Sequence, residues 1–200
     1  MKKFLCILTV AAILSAACNS KKSSAEGSKV TETANEIIKP DTSGMGGITE
    51  NVLLLKEELD KMVPLTKEEL MKRIPQRLMG TERSGITVSD GLGALAASTE
   101  YKLNDSTTIR IEIVDCAGSG GVGFFSMQYA SMMEPEGSDS EITYSVIDFN
   151  GHKASESCMK ARPGDCTFSY FSGNRFYVLL EGQHVGIDAL KEAAGKLDIK

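Results

Sequence analysis

The sequence predicts an α+β domain, in which helices pack on an antiparallel sheet of about six or seven strands. Within residues 107–114, Ile109, Ile111 and Ile113 alternate with polar residues, as in a strand with one buried face. Short strand-like segments fill most of the second half of the chain, and pairs such as Asn150-Gly151 between them favour two-residue hairpin turns. Because strands joined by tight turns run antiparallel, these segments predict a meander.

Helical spacing of apolar residues marks the two ends of the domain. Residues 49–63 have this spacing, and Pro64 ends the predicted helix. The segment Thr66 to Glu69 matches a capping box, which predicts a short second helix that ends before Pro75. A helix near residues 187–197, with its small and apolar residues on one side, closes the domain.

Seven strands and one further helix are predicted between these ends. A helix over 122–133 is apolar on more than one face, which predicts a buried position under the sheet. Pro163-Gly164 and Gly173-Asn174 are predicted to be turns of the meander. The predicted strands are 85–88, 94–103, 107–114, 141–149, 152–159, 166–172 and 175–181.

The first 18 residues predict export. Lys2 and Lys3 precede an apolar run, and Ser15-Ala16-Ala17-Cys18 closes it with small residues and a cysteine. This is the layout of a secretory signal, here residues 1–17, and it is too short for a membrane-spanning helix. The segment therefore places the protein outside the cytoplasm.

The end of this signal resembles the lipobox of bacterial lipoproteins. In that family the cysteine becomes the first mature residue and carries acyl chains such as palmitate, which implies lipidation at Cys18 and an anchor in the membrane. Lipobox sequences usually have Leu three residues before the cysteine, whereas Ser15 occupies that position and Leu14 lies one residue earlier. Cleavage by ordinary signal peptidase is the alternative, and it would leave a soluble periplasmic protein. Asn19, in a position where inner-membrane lipoproteins often have Asp, favours the outer membrane.

Composition divides the mature chain into a tether and a domain. Residues 18–47 are rich in Ser, Lys, Thr, Glu and Gly, which predicts a flexible tether with a typical reach of roughly 30 Å. Residues 48–200 suit a single domain. Loss of Lys2 and Lys3 with the signal reduces 22 basic residues to 20 against 27 acidic ones, a formal charge of −7. An acidic domain without a basic stripe argues against a nucleic-acid partner.

A glycine-rich segment follows the clearest strand. Gly118, Gly120, Gly121 and Gly123 belong to a match to G-x-G-x-x-G, a dinucleotide-binding pattern. That pattern requires a parallel βαβ unit, whereas the elements after it predict an antiparallel meander. The remaining interpretations are a flexible strand-to-helix loop or a ligand loop whose amide groups bind an anion. The sequence therefore predicts no cofactor.

Cysteines and histidines give few chemical possibilities. Cys116, Cys158 and Cys166 lie in the domain, and an oxidising compartment favours one disulfide among them. Cys158 and Cys166 flank the predicted Pro163-Gly164 turn, but a two-residue turn there would place them on opposite faces, and only an odd-length loop would bring them to one face. The absence of C-x-x-C in the sequence argues against a metal site. His152 and His184 are the only histidines, and each is predicted to be a polar loop residue.

Asp115 is the one acidic residue placed where a strand end could form a site. A turn or capping role is the simpler interpretation. The alternative is a hydrolase that uses Asp115 and the loop over 118–123.

The order and spacing of several segments are informative: Ile74-Pro75, Gly80 to Arg83, Ala97 to Tyr101, Ile109 to Asp115, Arg175 to Val178, Glu181-Gly182 and Ile187 to Leu190. Together they resemble a group of uncharacterised exported bacterial lipoproteins, and the pattern also resembles the Mog1/PsbP-type α/β sandwich. The Mog1/PsbP likeness implies an assembly or interaction factor.

Together these observations predict a lipid-anchored envelope protein that faces the periplasm and binds an envelope protein or a small ligand. A carrier of small apolar ligands, which would use the helix over 122–133 and the sheet, and a hydrolase near Asp115 are the alternatives. An enzyme should bring polar groups together beside a cleft at Asp115, a carrier should enclose an apolar cavity, and an interaction module should expose an apolar patch.

Overall fold

The computed structural model describes residues 50–133 and 137–199, so the predicted signal, Cys18 and the predicted tether lie outside the described residues. Four helices are found in this part of the chain. The first two match the sequence-based prediction, and the capping box of the second is formed by Thr66 and Glu69. The helices are α1 (Glu50–Lys61), α2 (Lys67–Met71), α3 (Gly118–Ser131) and α4 (Ile187–Gly195).

An antiparallel sheet of eight strands forms the centre of the domain, which confirms the predicted α+β class with slightly more strands than expected. Its order is β3-β4-β5-β10-β9-β8-β7-β6, and β1 and β2 form a separate pair. The strands are β1 (Arg77–Leu78), β2 (Thr81–Glu82), β3 (Thr87–Gly91), β4 (Ala94–Lys102), β5 (Thr108–Asp115), β6 (Gly137–Ser138), β7 (Ile142–Phe149), β8 (His152–Met159), β9 (Arg162–Ser172) and β10 (Phe176–Gln183).

Two meanders join through β5 and β10 at the middle of the sheet. Ile113 pairs with Val178 and Ile111 with Leu180, so the alternating residues of the clearest predicted strand lie at the centre of the core. All of these side chains point to one face, which α2 and α4 cover. Leu190 of α4 is completely buried there.

The opposite face is covered at one end only, by α1 and α3. Phe125 of α3 packs with Phe171 of β9, their ring centroids 4.8 Å apart, and Leu59 of α1 completes this second core. Towards the other end of the strands this face is polar, where Arg110 forms ion pairs with Glu112 and Glu181, both at 3.1 Å.

Helix α3 corrects two expectations. It begins at Gly118, so the predicted ligand loop is in fact its first turns. It also lies at the surface of the domain, since Gly121 and Phe125 are buried while Met127 is half exposed. Its apolar composition extends to its exposed side, which is why the sequence wrongly indicated a fully buried helix.

The hairpin between β8 and β9 corrects the predicted turn. The turn residues are Lys160-Ala161, because Met159 pairs with Arg162. Three extra residues, Pro163 to Asp165, then bulge from β9, and the register shifts so that Cys158 pairs directly with Cys166. The bulge is held by hydrogen bonds and packing: His184 donates its backbone N–H to Asp165 Oδ1 at 2.9 Å, and Gly164 packs against the His184 backbone. Because the extra residues are odd in number, both cysteines face the same side of the sheet.

Cys158 and Cys166 form a disulfide, and Cys116 is a buried free thiol. Replacing both Cys158 and Cys166 with Ser should lower the free energy of unfolding by about 2 kcal/mol, because a short closed loop no longer restricts the unfolded chain. Urea denaturation under oxidising conditions measures the loss. Adding a reductant should bring the wild-type protein to the same stability and leave the double variant unchanged, and equal stability of all four samples would contradict the prediction.

Candidate functional site

Asp115, the acidic residue singled out in the sequence, forms a buried ion pair with Arg175. The Asp115 side chain is fully buried, and its Oδ1 lies 2.7 Å from Arg175 Nε and its Oδ2 2.8 Å from Nη2. Leu65 and Ala117 donate their backbone N–H groups to the same carboxylate, at 2.7 and 3.2 Å. With four hydrogen bonds and no exposed surface, the carboxylate presents no atom to a substrate.

This ion pair joins three separate parts of the chain. Asp115 ends β5, Arg175 precedes β10, and Leu65 lies in the connection between α1 and α2. Arg175 Nη2 also donates to the Val63 carbonyl oxygen at 2.9 Å, so both sides of Pro64 are fixed to the sheet. The strand-end position in the sequence therefore marked a structural carboxylate, in line with the simpler interpretation.

Burial and hydrogen bonding act on the pKa of Asp115 in opposite directions. Burial alone would raise the pKa, but the hydrogen bonds from Arg175, Leu65 and Ala117 outweigh it and lower the pKa below its usual value. Asp115 is therefore ionised throughout the neutral range. The pKa of the neighbouring Cys116 thiol is raised to about 12 by burial, so this cysteine stays protonated and unreactive.

The glycines of the G-x-G-x-x-G match have packing roles. A Cβ atom on Gly120 would lie 2.0 Å from the Gly93 carbonyl oxygen in the β3–β4 turn, and one on Gly121 would lie 2.3 Å from the Cys116 backbone. Gly118 has φ +74° and packs against Pro64. A Cβ on Gly123 would meet open space. Close approach of backbones explains Gly120 and Gly121, and the positive φ explains Gly118, so three of the four glycines are explained without a ligand.

A cleft on the α1/α3 side is the better candidate for a binding site; the sequence pointed to the helix over 122–133 as part of a ligand site, but not to the other residues of this cleft. We call it the α1–α3 cleft; its volume is about 480 Å³. Residues of α1 and α3 form two of its walls, and residues in and beside the β7–β8 and β9–β10 turns complete its lining. Its lining includes Leu54, Leu55, Phe125, Tyr129, Asp148 and Lys153, together with Asn51, Glu58, His152, Phe171 and Asn174.

The α1–α3 cleft combines apolar and polar groups. Leu54 is 53% exposed on its wall, and Tyr129 packs on Phe125 with ring centroids 5.5 Å apart. Lys153 forms an exposed ion pair with Asp148 at 3.1 Å. Burial raises the pKa of Tyr129, and the Lys153 charge acts in the opposite direction, so this hydroxyl remains protonated beside the ion pair. Such a site can bind an apolar group and also form hydrogen bonds with a polar one.

Two other clefts in the described residues have a similar volume, about 490 Å³ each. One lies beside α2 and includes Met71 and Arg83, and the other lies near Lys102, where β4 and β10 end and β5 begins. Neither has an aromatic side chain in its lining. Aromatic residues supply large contact areas at recognition sites, which favours the α1–α3 cleft.

The remaining candidates from the sequence are not brought together. His152 lines the α1–α3 cleft, whereas the Nδ1 of His184 lies 2.7 Å from the Ser106 carbonyl oxygen near the bulge of β9. Within residues 50–133 and 137–199, no three His, Cys, Asp or Glu side chains are grouped as ligands for a metal ion. No helix in the same ranges is both long and apolar enough to cross a membrane.

Comparison of the chain with protein-family models, with curated proteins and with solved structures gives no match.

The Asp115–Arg175 pair leads to a stability prediction. Asp115→Asn should lower the free energy of unfolding by about 3 kcal/mol, because the Arg175 charge loses its buried partner. Glu112→Gln on the same strand is the matched control, since its ion pair with Arg110 is partly exposed, and it should cost less than about 1 kcal/mol. Chemical denaturation at pH 7 measures both values.

The same variants should differ in their response to acid. Because the folded-state pKa of Asp115 is below the unfolded value of about 3.9, the stabilisation is fully present above that value. It is lost as the pH falls through the folded-state pKa. Stability of the wild-type protein should therefore decline more steeply below pH about 4 than that of Asp115→Asn. Equal acid sensitivity of the two proteins would contradict the role given to Asp115.

The two interpretations of the glycines are separated by a pair of alanine substitutions within α3. Gly120→Ala should destabilise the protein by about 1–3 kcal/mol, because the new methyl group overlaps the Gly93 backbone. Gly123→Ala should stabilise it by about 0.5–1 kcal/mol, because Ala favours a helix and meets no neighbour. Thermal unfolding of both variants tests this. A neutral Gly120→Ala would show that the turn can move away, and that close packing does not explain this glycine.

Proposed function

We propose that this protein is a lipid-anchored protein of the bacterial cell envelope, facing the periplasm from the outer membrane, and that its α+β domain is a binding module. The α1–α3 cleft is the binding site, and its occupant is an envelope protein or a small ligand. The observation that carries this proposal is the composition of the cleft, in which an exposed leucine, a tyrosine and the Asp148–Lys153 ion pair line one open volume of about 480 Å³.

The geometry does not favour the two alternatives. A hydrolase near Asp115 would need a carboxylate that reaches substrate, and all four hydrogen bonds of Asp115 are made within the protein. A carrier of small apolar ligands would enclose its cargo in an apolar cavity. The α1–α3 cleft is open and lined partly by charged and amide side chains.

The anchor rests on the lipobox-like segment at Cys18. Mass spectrometry of the protein extracted from its native membranes should find Cys18 as the first residue, with its mass increased by acyl chains. Cys18→Ser should release the protein from the membrane fraction. A wild-type protein that keeps Met1 and stays in the cytosol would contradict the envelope assignment.

The binding site can be tested in intact cells with a photo-crosslinking residue at position 54, in the α1–α3 cleft. Irradiation should give a discrete adduct there and not at position 142, which is similarly apolar and exposed but lies on β7 outside the cleft. Native mass spectrometry of the purified protein should reveal a bound small molecule if the ligand is not a protein. A substitution of Tyr129 by Ala should weaken either signal. If positions 54 and 142 give the same adducts, and native mass spectrometry finds no bound small molecule, the α1–α3 cleft is not the binding site.

A further inference from the structure

The two most exposed large apolar side chains among the described residues lie at one end of the domain. Val63, in the connection between α1 and α2, is 82% exposed, and Leu92, in the β3–β4 turn, is 76% exposed. Both loops contact the first turn of α3. Pro64 packs on Gly118, and Gly93 packs on Gly120, two residues further along the helix. We call Val63 and Leu92 together the apolar tip.

Both side chains of the apolar tip are presented by fixed backbone. The Val63 carbonyl oxygen accepts a hydrogen bond from Arg175, and the N–H of Leu65 donates to Asp115, so the buried ion pair holds this loop. Leu92 has φ +56°, a left-handed conformation that a bulky residue rarely adopts. A strained residue that points an apolar side chain into water is a reason to look for a function.

From this juxtaposition we infer that the apolar tip contacts the lipid bilayer and orients the anchored domain on its surface. The inference rests on the part of the proposed function that places a lipid at Cys18. Between that residue and the start of α1 lie 31 residues, all but the last two in the predicted tether, with a typical reach of roughly 30 Å, so the tip stays within range of the membrane.

The small size of the tip favours lipid over a protein partner. A standard protein interface buries about 800 Å² on each side, and two side chains on separate loops provide far less than that. Two aliphatic side chains are also too few to recruit a free domain to a membrane. They are enough to bias the orientation of a domain that its anchor already holds at high local concentration. Nearby charges are mixed, with Lys61 and Asp60 before Val63 and Asp90 before Leu92, so the contact is apolar rather than electrostatic.

Tryptophan fluorescence can test this directly, because the natural chain contains no tryptophan. The variants Val63→Trp and Leu92→Trp place a single reporter at the tip, and Ile142→Trp is the control at an exposed apolar position on β7, near the opposite edge of the sheet. Each full acylated protein is reconstituted into vesicles of phosphatidylethanolamine and phosphatidylglycerol, with and without brominated phosphatidylcholine as a quencher. We expect about twofold quenching at positions 63 and 92, where side chains enter the acyl boundary, and none at 142.

A second substitution excludes an effect of the tryptophan itself. Adding Leu92→Asp to the Val63→Trp protein should abolish the quenching, whereas adding Ile142→Asp should leave it intact. Flotation of the vesicles separates a failure of the lipid anchor from a failure of the apolar tip, because a protein that does not float with the vesicles lacks the anchor. A protein that floats but shows equal quenching at all three positions overturns the apolar tip as a lipid contact. Spectral changes that follow protein concentration rather than lipid would assign the tip to a second copy of the chain and overturn it as well.

Discussion

The ion pair between Asp115 and Arg175 is the constraint on which the rest of this domain depends. Replacing a buried ion pair by apolar residues often costs little, whereas leaving one partner alone costs several kcal/mol. The contribution of this pair is therefore to fix the positions of the segments that it joins. Its hydrogen bonds reach the end of β5, the start of β10 and both sides of Pro64, and so they set where α1 ends and α2 begins relative to the sheet.

The position of helix α3 at the same end of the sheet depends on the glycines in its first turns. Its first turn lies between the Pro64 loop and the β3–β4 turn. Gly118 has a positive φ and packs against the Pro64 ring, while Gly120 and Gly121 let the helix approach the Gly93 and Cys116 backbones more closely than any side chain would allow. The helix position in turn forms one wall of the α1–α3 cleft, with Phe125 and Tyr129 as its aromatic part. A contact pattern at one end of α3 thus determines the shape of a site further along it.

Local patterns in the sequence were sufficient for most of the fold. The alternation of Ile109, Ile111 and Ile113 identified the central strand, and the Asn150-Gly151 turn has the two positive φ values that its residue types favour. The bulge after Arg162 was not predictable, because Pro163-Gly164 has the composition of a turn and only the contacts with His184 place it inside β9. The same limit applies to the α1–α3 cleft, whose residues come from four distant segments and share no spacing.

Polar groups in this domain fall into two populations, and the difference decides where function can lie. Asp115 and Thr99 are buried and bonded to backbone groups, so their hydrogen-bonding capacity is used in folding. Asp148 and Lys153 pair with each other in the open, where exchange with a ligand costs little because an exposed ion pair is weak. A site that must release as well as bind needs groups of the second kind. Asp115, the carboxylate that stands out in the sequence, belongs to the buried population. The polar groups that a partner can reach, Asp148 and Lys153, lie on the α1/α3 side of the sheet.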